Sequence, residues 1–448
     1  MIRICSCVLI LTLMMLTIAC AETENDTSIS VPGETELSML RSDAITERSG
    51  KQPTQTPGIS IITTNGGAQS EESEEVIMLS DIPTPAAQAG DNPELSPDGY
   101  LISSNPESTV PDNKITLSFV GDCSLGDTLS SRKNKSSLTS CIRANGDDWL
   151  FETVSDIFHS DDYTFANLEV VLTDQAEPLY PLKSFNLIGR PEFARVLNAG
   201  GVDGVNTVNN HSIDFKYKGY EDTLASLDEA GVMHFGSLNP TRTKNSYVTL
   251  GRLEIKGIRI GLIGFTYPTN ANQELIARDI QTLRSEGCQI VIVSLHWGRE
   301  ERKTPNASQF PFAVQILEAG ADMVWGHHTH VLQPVYFYHG KPIFFSTGNF
   351  VFGSIKSLDP ASGIFQLTWD IHEDGSVALN QFQMIPTKIR HSKQEYRPLV
   401  LKKAADQKDC WQHVMGKSDR YDCTKLPDGF EKTGIVYIQP DGTISINP

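Results

Sequence analysis

Between residues 115 and 327, short apolar segments of β type alternate repeatedly with amphipathic segments of helical type. The β-type segments are ITLSFVGD, YTFANLE, GVDGVNTV, IRIGLIGF, CQIVIVSL and DMVWG. Apolar residues at helical spacing lie between them, around residues 150–158, after Pro191, in YEDTLASLDEAG, around residues 275–283 and in FAVQILEAG. This alternation predicts a layered α/β fold, in which helices pack over sheets, for residues 114–355.

The pattern changes after about residue 354, where helical periodicity fades. HEDGSV and QPDGTI each place a turn dipeptide between alternating apolar residues, which is the sequence pattern of a β-hairpin. We therefore predict a small β-rich C-terminal extension at residues 356–448.

The first 21 residues resemble an export signal. MIRICSCVLILTLMMLTIACAE has one basic residue, an apolar run and then small residues. Two interpretations of its end remain open, since Ala19 and Ala21 fit a signal-peptidase site, whereas Cys20 fits a bacterial lipoprotein box. The expected location is the extracytoplasmic face of the cell membrane, with a lipid anchor there, or secretion.

Residues 22–113 differ in composition from the rest of the chain. They hold 17 acidic and 3 basic residues, and so carry −14 of the formal net charge of −18. A segment rich in Ser, Thr, Pro and Glu buries too little apolar surface to fold, so we predict an acidic disordered stalk. The remainder is only mildly acidic, and nucleic acid is excluded as a partner because its phosphates require a basic face.

Polar side chains follow five of the predicted strands at their carboxyl ends, the edge at which open α/β sheets place their sites. Taken one at a time, each has an ordinary explanation, such as a turn-capping aspartate or a hydrogen-bonded core histidine. Their recurrence instead predicts a metal site, because imidazole and carboxylate groups are common metal ligands. The residues are Asp122, Asn167, Glu169, Asn209, Asn210, His211, His296, His328 and His330.

The segment VWGHHTHVLQP supplies three of the histidines of this region. Alternate residues of an extended segment point the same way, which predicts that His328 and His330 bind one ion or two neighbouring ions. On the same reasoning, His327 is expected to point to the opposite side.

The motifs GDCSLGD, ANLE, NNHSID, HWGRE, GHHTH and STGNFVFG occur in this order between residues 115 and 353. Together they resemble the CapA family of capsule and poly-γ-glutamate synthesis proteins, whose domain is similar to the calcineurin-like metallophosphatases. The resemblance implies a metallophosphatase-like fold and implies that His211 assists the leaving group. It implies metal ligation by Asp122, Glu169, Asn210, His296, His328 and His330.

The sequence departs from the metallophosphatase pattern at three positions. No histidine completes the D-x-H opening, Glu169 replaces the bridging aspartate, and Thr329 replaces the usual proline between the last two family histidines. Mixed carboxylate, amide and imidazole ligands suit one or two ions of manganese, iron or zinc. Asn167, Asn209, Arg299, Glu300 and Asn349 are predicted to bind substrate or to support the ligands.

Two classes of function remain open. The first is a surface-anchored, metal-dependent hydrolase or transferase that acts on a phosphoester, as a general extracellular metallophosphoesterase would, or on the amide bonds of a polyglutamate-like polymer. The second is a non-catalytic accessory of capsule polymer synthesis or export. The expected partners are an anionic polymer or phosphoester substrate, membrane-embedded polymer synthase components, and the membrane itself through the N-terminal anchor.

Five cysteines lie outside the leader. An exported protein favours disulfides, so we expect a Cys410–Cys423 bond and a Cys123–Cys141 bond, with Cys288 free on a buried strand. Cys123, next to Asp122, has metal ligation as its alternative function.

Overall fold

The structure is a computed structural model that describes residues 94–239, 246–267, 272–353, 358–389 and 395–416, and the backbone of three further strands. The strands are β1 (Leu101–Ser103), β2 (Lys114–Cys123), β3 (Asp127–Thr128), β4 (Tyr163–Leu168), β5 (Val171–Leu172), β6 (Leu187–Gly189), β7 (Gly204–Asn206), β8 (Met233–Leu238), β9 (Tyr247–Thr249), β10 (Gly251–Ile255), β11 (Ile258–Thr266), β12 (Ile290–His296), β13 (Met323–His327), β14 (Val335–Tyr338), β15 (Lys341–Phe344), β16 (Asn349–Val351), β17 (Ala361–Ile371), β18 (Val377–Lys388), β19 (Leu399–Val400), β20 (Phe430–Glu431), β21 (Val436–Ile438) and β22 (Ile444–Ile446). The helices are α1 (Leu138–Asn145), α2 (Ser155–Ser160), α3 (Ala194–Ala199), α4 (Lys216–Ala230), α5 (Gln273–Ser285), α6 (Gln309–Glu318) and α7 (Ala404–Val414).

Two large mixed sheets form the centre of the fold. Sheet I has the strand order β1-β10-β11-β12-β13-β15-β14-β20, and β11, β12 and β13 run parallel in it. Sheet II has the order β21-β22-β18-β17-β2-β4-β7-β8-β9, with β16 paired to β2 and β19 to β18. The strands β2, β4, β7 and β8 are parallel neighbours in sheet II. A small third sheet joins β3, β6 and β5.

The sheets pack face to face, and helices cover their outer faces. Phe119 of sheet II meets Trp325 of sheet I edge to face, with ring centroids 5.2 Å apart, inside one shared apolar core. A second core lies between sheet II and the helices α1 and α3, and a third between sheet I and the helices α5 and α6. The resulting order of layers is helix, sheet, sheet, helix, and it confirms the prediction of a layered α/β fold.

The predicted strands of residues 115–327 are all present, and the helices appear between them. The helix expected around residues 150–158 is shorter, since α2 begins only at Ser155 and a 3₁₀ turn, Asp147–Trp149, precedes it. The segment after Pro191 likewise begins as a 3₁₀ turn before α3.

Residues 94–113 were assigned to the disordered stalk, but they are part of the folded structure. Strand β1 pairs in parallel with β10 at the edge of sheet I, and Tyr100 is buried in the core of that sheet. The acidic composition of the segment hid these few apolar residues. The leader and the rest of the predicted stalk lie outside the described residues.

The C-terminal strands extend sheet II. The hairpin predicted at HEDGSV is present between β17 and β18, and β17 pairs antiparallel with β2 along six residue pairs. Helix α7 was not predicted. The second hairpin is represented by β21 and β22, which pair antiparallel, although the turn between them lies outside the described residues.

The described cysteines are all buried and unbridged, so the expectation of a Cys123–Cys141 disulfide is wrong. Cys123 lies on β2 while Cys141 lies on α1, in the apolar core over sheet II. Cys288 is free, as predicted. Cys423, the expected partner of Cys410, lies outside the described residues. No helix in the described part of the chain is long and apolar enough to cross a membrane.

Candidate functional site

The carboxyl ends of strands from both sheets converge at one edge of the sandwich. In sheet II, β2 ends next to Asp122, and Glu169 follows β4 directly. In sheet I, β12 ends at His296, and His328 and His330 follow β13. Parallel strands end at the same edge, so side chains far apart in sequence meet there.

Two groups of potential metal ligands lie at this edge. Asp122, Glu169 and His330 form the first cluster, and Glu169, His296 and His328 form the second; the ligand atoms of each lie within 4.8 Å of one another. Glu169 belongs to both, and its Oε1 is 3.4 Å from Nε2 of His296 and 3.9 Å from Nε2 of His330. Glu169 would therefore be available as a ligand to an ion in either cluster.

Glu169 provides a test of whether a cation fits. Its side chain is 0% exposed, and neither carboxylate oxygen has a hydrogen-bond partner. A buried carboxylate without hydrogen bonds is costly in its charged form, and a divalent cation would stabilise that charged form. Nδ1 of His328 is also buried without a partner. The clusters therefore fit divalent metal, and imidazole with carboxylate suits manganese, iron or zinc.

Burial and the mutual charges of the cluster residues shift their protonation in different directions. Burial raises the pKa of Glu169 to about 8, and the charge of Asp122 adds to the rise. Burial opposes ionisation of Asp122, but the neighbouring histidines, His330 foremost, outweigh it and hold the pKa of this carboxyl well below its usual range. Burial lowers the pKa of His296 and of His328 to about 3, so both rings are neutral and can ligate.

His330 is the exception among these rings. Burial opposes its charged form, but the carboxylates Glu169 and Asp122 raise its pKa to about 10. Ligation of a metal ion through the His330 ring therefore requires loss of that proton.

A chain of amides fixes the carboxylate and imidazole groups. Nδ2 of Asn167 donates to Oδ1 of Asp122 at 2.7 Å and lies 3.3 Å from Nδ1 of His296. Nδ2 of Asn206 in turn donates to Oδ1 of Asn167 at 2.8 Å. Asn349 holds His330, with its Oδ1 2.9 Å from Nδ1 of the ring and its Nδ2 donating to the His330 carbonyl. Asn206 carried no signal in the sequence beyond its position at a strand end.

The loop after β7 brings an amide and an imidazole to the second cluster. Oδ1 of Asn210 is 2.8 Å from Nε2 of His296, and Asn210 is exposed at the mouth of the site. Nε2 of His211 is 3.8 Å from Oε1 of Glu169. Asn209 shapes the loop, because its side chain donates to the Leu168 carbonyl and accepts from the His211 amide.

Two residues missed in the sequence analysis support His211. Nδ1 of His211 is 2.6 Å from Oδ2 of Asp214, which keeps the ring proton on Nδ1 and directs Nε2 toward the clusters. Nζ of Lys183 is 2.5 Å from the other carboxylate oxygen and also donates to the Asn210 carbonyl. Asp214 is the last residue of the motif NNHSID, so the sequence offered a signal for it. No motif contains Lys183.

The histidine segment differs from the extended geometry that was assumed. Strand β13 ends at His327, and His328 and His330 have φ of 89° and 58°, in the left-handed region. His327 does not point away from the site. Its Nδ1 is 3.5 Å from Oδ1 of Asp122, and its ring packs against Trp325. It belongs to neither cluster.

The remaining predicted residues lie outside the clusters. Arg299 and Glu300 are exposed on the loop after β12. Burial also raises the pKa of Cys123 far above its usual range, which disfavours the thiolate that metal ligation requires. Ser124 occupies the position of the missing D-x-H histidine, and its hydroxyl is buried without a partner.

The comparisons with known proteins agree with the motifs. Residues 116–354 match the family described as "Bacterial capsule synthesis protein PGA_cap". The chain is similar to the PGA biosynthesis protein CapA of Bacillus subtilis (strain 168), with 31% identity over 297 residues, which span 59% of this chain and 74% of that protein. The capsule biosynthesis protein CapA of Bacillus anthracis is 27% identical over 296 residues, 62% of this chain and 68% of that protein.

A probable polyglutamine synthesis accessory protein of Mycobacterium tuberculosis is 30% identical over 208 residues, 40% of this chain and 54% of that protein. The span of the family match contains both clusters, together with the amides that hold them.

Proposed function

Because this chain belongs to the family of bacterial capsule synthesis proteins PGA_cap, we propose that it is an exported, metal-dependent enzyme of envelope polymer synthesis. Its substrate in this proposal is an anionic polymer of the poly-γ-glutamate type, and its reaction is hydrolysis or transfer at a bond of that polymer. The observation that carries the proposal is the buried carboxylate of Glu169, which has no hydrogen-bond partner and is shared between the two clusters.

Divalent cations, when bound, act as Lewis acids that polarise the oxygen atoms of a carbonyl or phosphoryl group. The residues of the chain supply the remaining functions. Asn167 and Asn349 hold the ligands in place. His211 lies beside the clusters with Nε2 directed inward. When the ring carries a proton on both nitrogens, Nδ1–H stays bonded to Asp214 and Nε2–H can pass its proton to the departing group.

The experiment measures metal content and turnover together. The purified full chain is analysed by elemental analysis, and is then assayed with poly-γ-glutamate and with a generic phosphodiester, before and after chelation. Glu169→Gln preserves the size of the side chain and removes the shared charge. Glu229→Gln, at an exposed glutamate of α4, is the matched control.

We expect metal in the wild type and in Glu229→Gln, loss of metal in Glu169→Gln, and turnover that disappears on chelation and returns with added metal. Full metal occupancy in Glu169→Gln would refute the site.

A non-catalytic accessory function is the second candidate, favoured by Ser124 at the position where metallophosphatases carry a ligand histidine. Metal binding without turnover of either substrate would establish it over the enzyme.

A further inference from the structure

The loop at residues 180–185, which is joined to the His211 loop through Lys183, exposes three apolar side chains. Tyr180, Leu182 and Phe185 are 60%, 99% and 49% exposed. Among the described residues, the other exposed large apolar side chain is Leu95. Exposed apolar side chains concentrated at one place on a surface mark an interaction site.

This loop is held in one conformation. Nδ2 of Asn186 donates to the carbonyls of Tyr180 and Lys183, and the Lys183 amide donates to the Tyr180 carbonyl. The Leu179 amide donates to the Asp214 carbonyl, and the Lys183 side chain is paired with the Asp214 carboxylate. The apolar tip is therefore presented on a fixed base, which is itself joined to the loop of His211.

The loop is too small for a stable protein interface. Such interfaces bury about 800 Å² on each partner, whereas an aromatic side chain offers roughly 150–250 Å² even when fully exposed. The charges next to the loop do not extend the apolar area. Glu177 pairs with Lys216 and Asp174 with Arg190, so the tip stands alone within a charge-balanced polar surface.

A few apolar and aromatic side chains on a firm loop fit the boundary between lipid headgroups and acyl chains, where tyrosine and other amphipathic rings are enriched. We infer that the 180–185 loop inserts into the interfacial region of a lipid bilayer. Because the Leu179 amide and the Lys183 side chain join this loop to the His211 loop, insertion turns the ligand clusters toward the membrane surface.

Photo-crosslinking tests this inference. A photoreactive phenylalanine analogue is placed at Leu182 or, as a matched control, at Leu95, which lies next to β1. The full chain is reconstituted on vesicles of phosphatidylglycerol and phosphatidylethanolamine in equal parts. Any membrane attachment through the N-terminus is the same for both probes, so the difference between the probes reports the loop alone. Metal content and turnover do not enter the readout.

We expect lipid adducts at position 182 about tenfold above those at position 95. With the probe moved to Phe185, Leu182→Ser should lower the lipid adducts by roughly tenfold, the effect of losing one buried leucine, while Leu95→Ser should leave them unchanged. Equal lipid labelling at positions 182 and 95 would overturn the inference. A protein adduct in place of lipid at position 182 in cell membranes would do the same, and would assign the loop to a protein partner.

Discussion

We expect the two ligand clusters to hold separate ions, one bound through His328 and the other through His330. His330 belongs to the cluster with Asp122, and His328 to the cluster with His296. We expect His328→Ala and His330→Ala each to lower the metal content from about two ions per chain to about one. Elemental analysis of the purified variants measures this directly.

His327 is the control for that measurement. It lies 3.5 Å from Asp122 but outside both clusters, so His327→Ala should retain both ions. Loss of metal in His327→Ala, with full occupancy in the other two variants, would mean that the clusters are wrongly assigned.

His211 should affect catalysis without affecting metal. Its Nε2 faces the shared carboxylate, while its Nδ1 is held by Asp214. We expect His211→Ala to keep the metal and to lower the rate of polymer or phosphodiester cleavage by about 10² to 10⁴, the usual contribution of a positioned acid. Steady-state rates at matched metal content measure the effect. An unchanged rate would remove His211 from the reaction.

Among the secondary-structure elements, β2 depends on a glycine next to its ligand. A Cβ at Gly121 would lie 2.0 Å from the Gly348 carbonyl oxygen, and backbone cannot move aside easily. We expect Gly121→Ala to displace Asp122, lower the metal content and reduce the free energy of unfolding by about 1–3 kcal/mol or more.

Gly257→Ala is the comparison for this variant. Gly257 has φ of 77° and no atom near its added Cβ, so the substitution should cost only the backbone strain of about 1–2 kcal/mol and leave the metal content intact. Denaturant unfolding and elemental analysis of both variants separate the two effects.

The strands and their polar ends could be predicted from the sequence because both are local signals. Alternating apolar runs defined β2, β4, β12 and β13, and the residue after each run fell at the shared edge. The partnership of β17 with β2 is not a local signal. It joins residues about 250 positions apart, and no residue pattern in either strand identifies the other as its partner.

The orientation of the histidines could not be predicted for a related reason. The positive φ of His328 and His330 is uncommon for residues other than glycine, so an extended backbone was the natural assumption. The contribution of Lys183 to the site could not be predicted either, because its pairing with Asp214 depends on how the loop before β6 folds back on the loop after β7.

At the scale of the whole molecule, carboxyl groups also lie at the edge opposite the clusters, where Asp161 is buried and Asp203 is half-buried. Asp203, just before β7, accepts a hydrogen bond from the Thr164 amide at 2.8 Å. Burial raises the pKa of Asp203 to about 7 from an ordinary value of 3.8. Burial, together with the charges of Asp203 and Asp162, also raises the pKa of Asp161 well above its ordinary value.

The sign of the pH effect follows from proton binding. Between pH 3.8 and about 7 the folded chain keeps a proton on Asp203 that the unfolded chain has released. The stability that Asp203 contributes is therefore fully present below pH 3.8 and is lost as the pH rises through about 7. Asp203→Asn retains a carbonyl oxygen for the Thr164 amide and cannot ionise.

We expect the free energy of unfolding of the wild type to fall relative to Asp203→Asn as the pH rises across this window, with a slope of up to about 1.4 kcal/mol per pH unit. Asp148→Asn, at an exposed aspartate, should follow the wild type. Urea unfolding at intervals from pH 4 to pH 8 measures the free energy of unfolding of the three proteins. All three share the metal site, so its effect cancels when their curves are subtracted. Parallel curves for wild type and Asp203→Asn would show that Asp203 is ionised in the folded chain, since only a carboxyl that keeps its proton on folding produces the divergence.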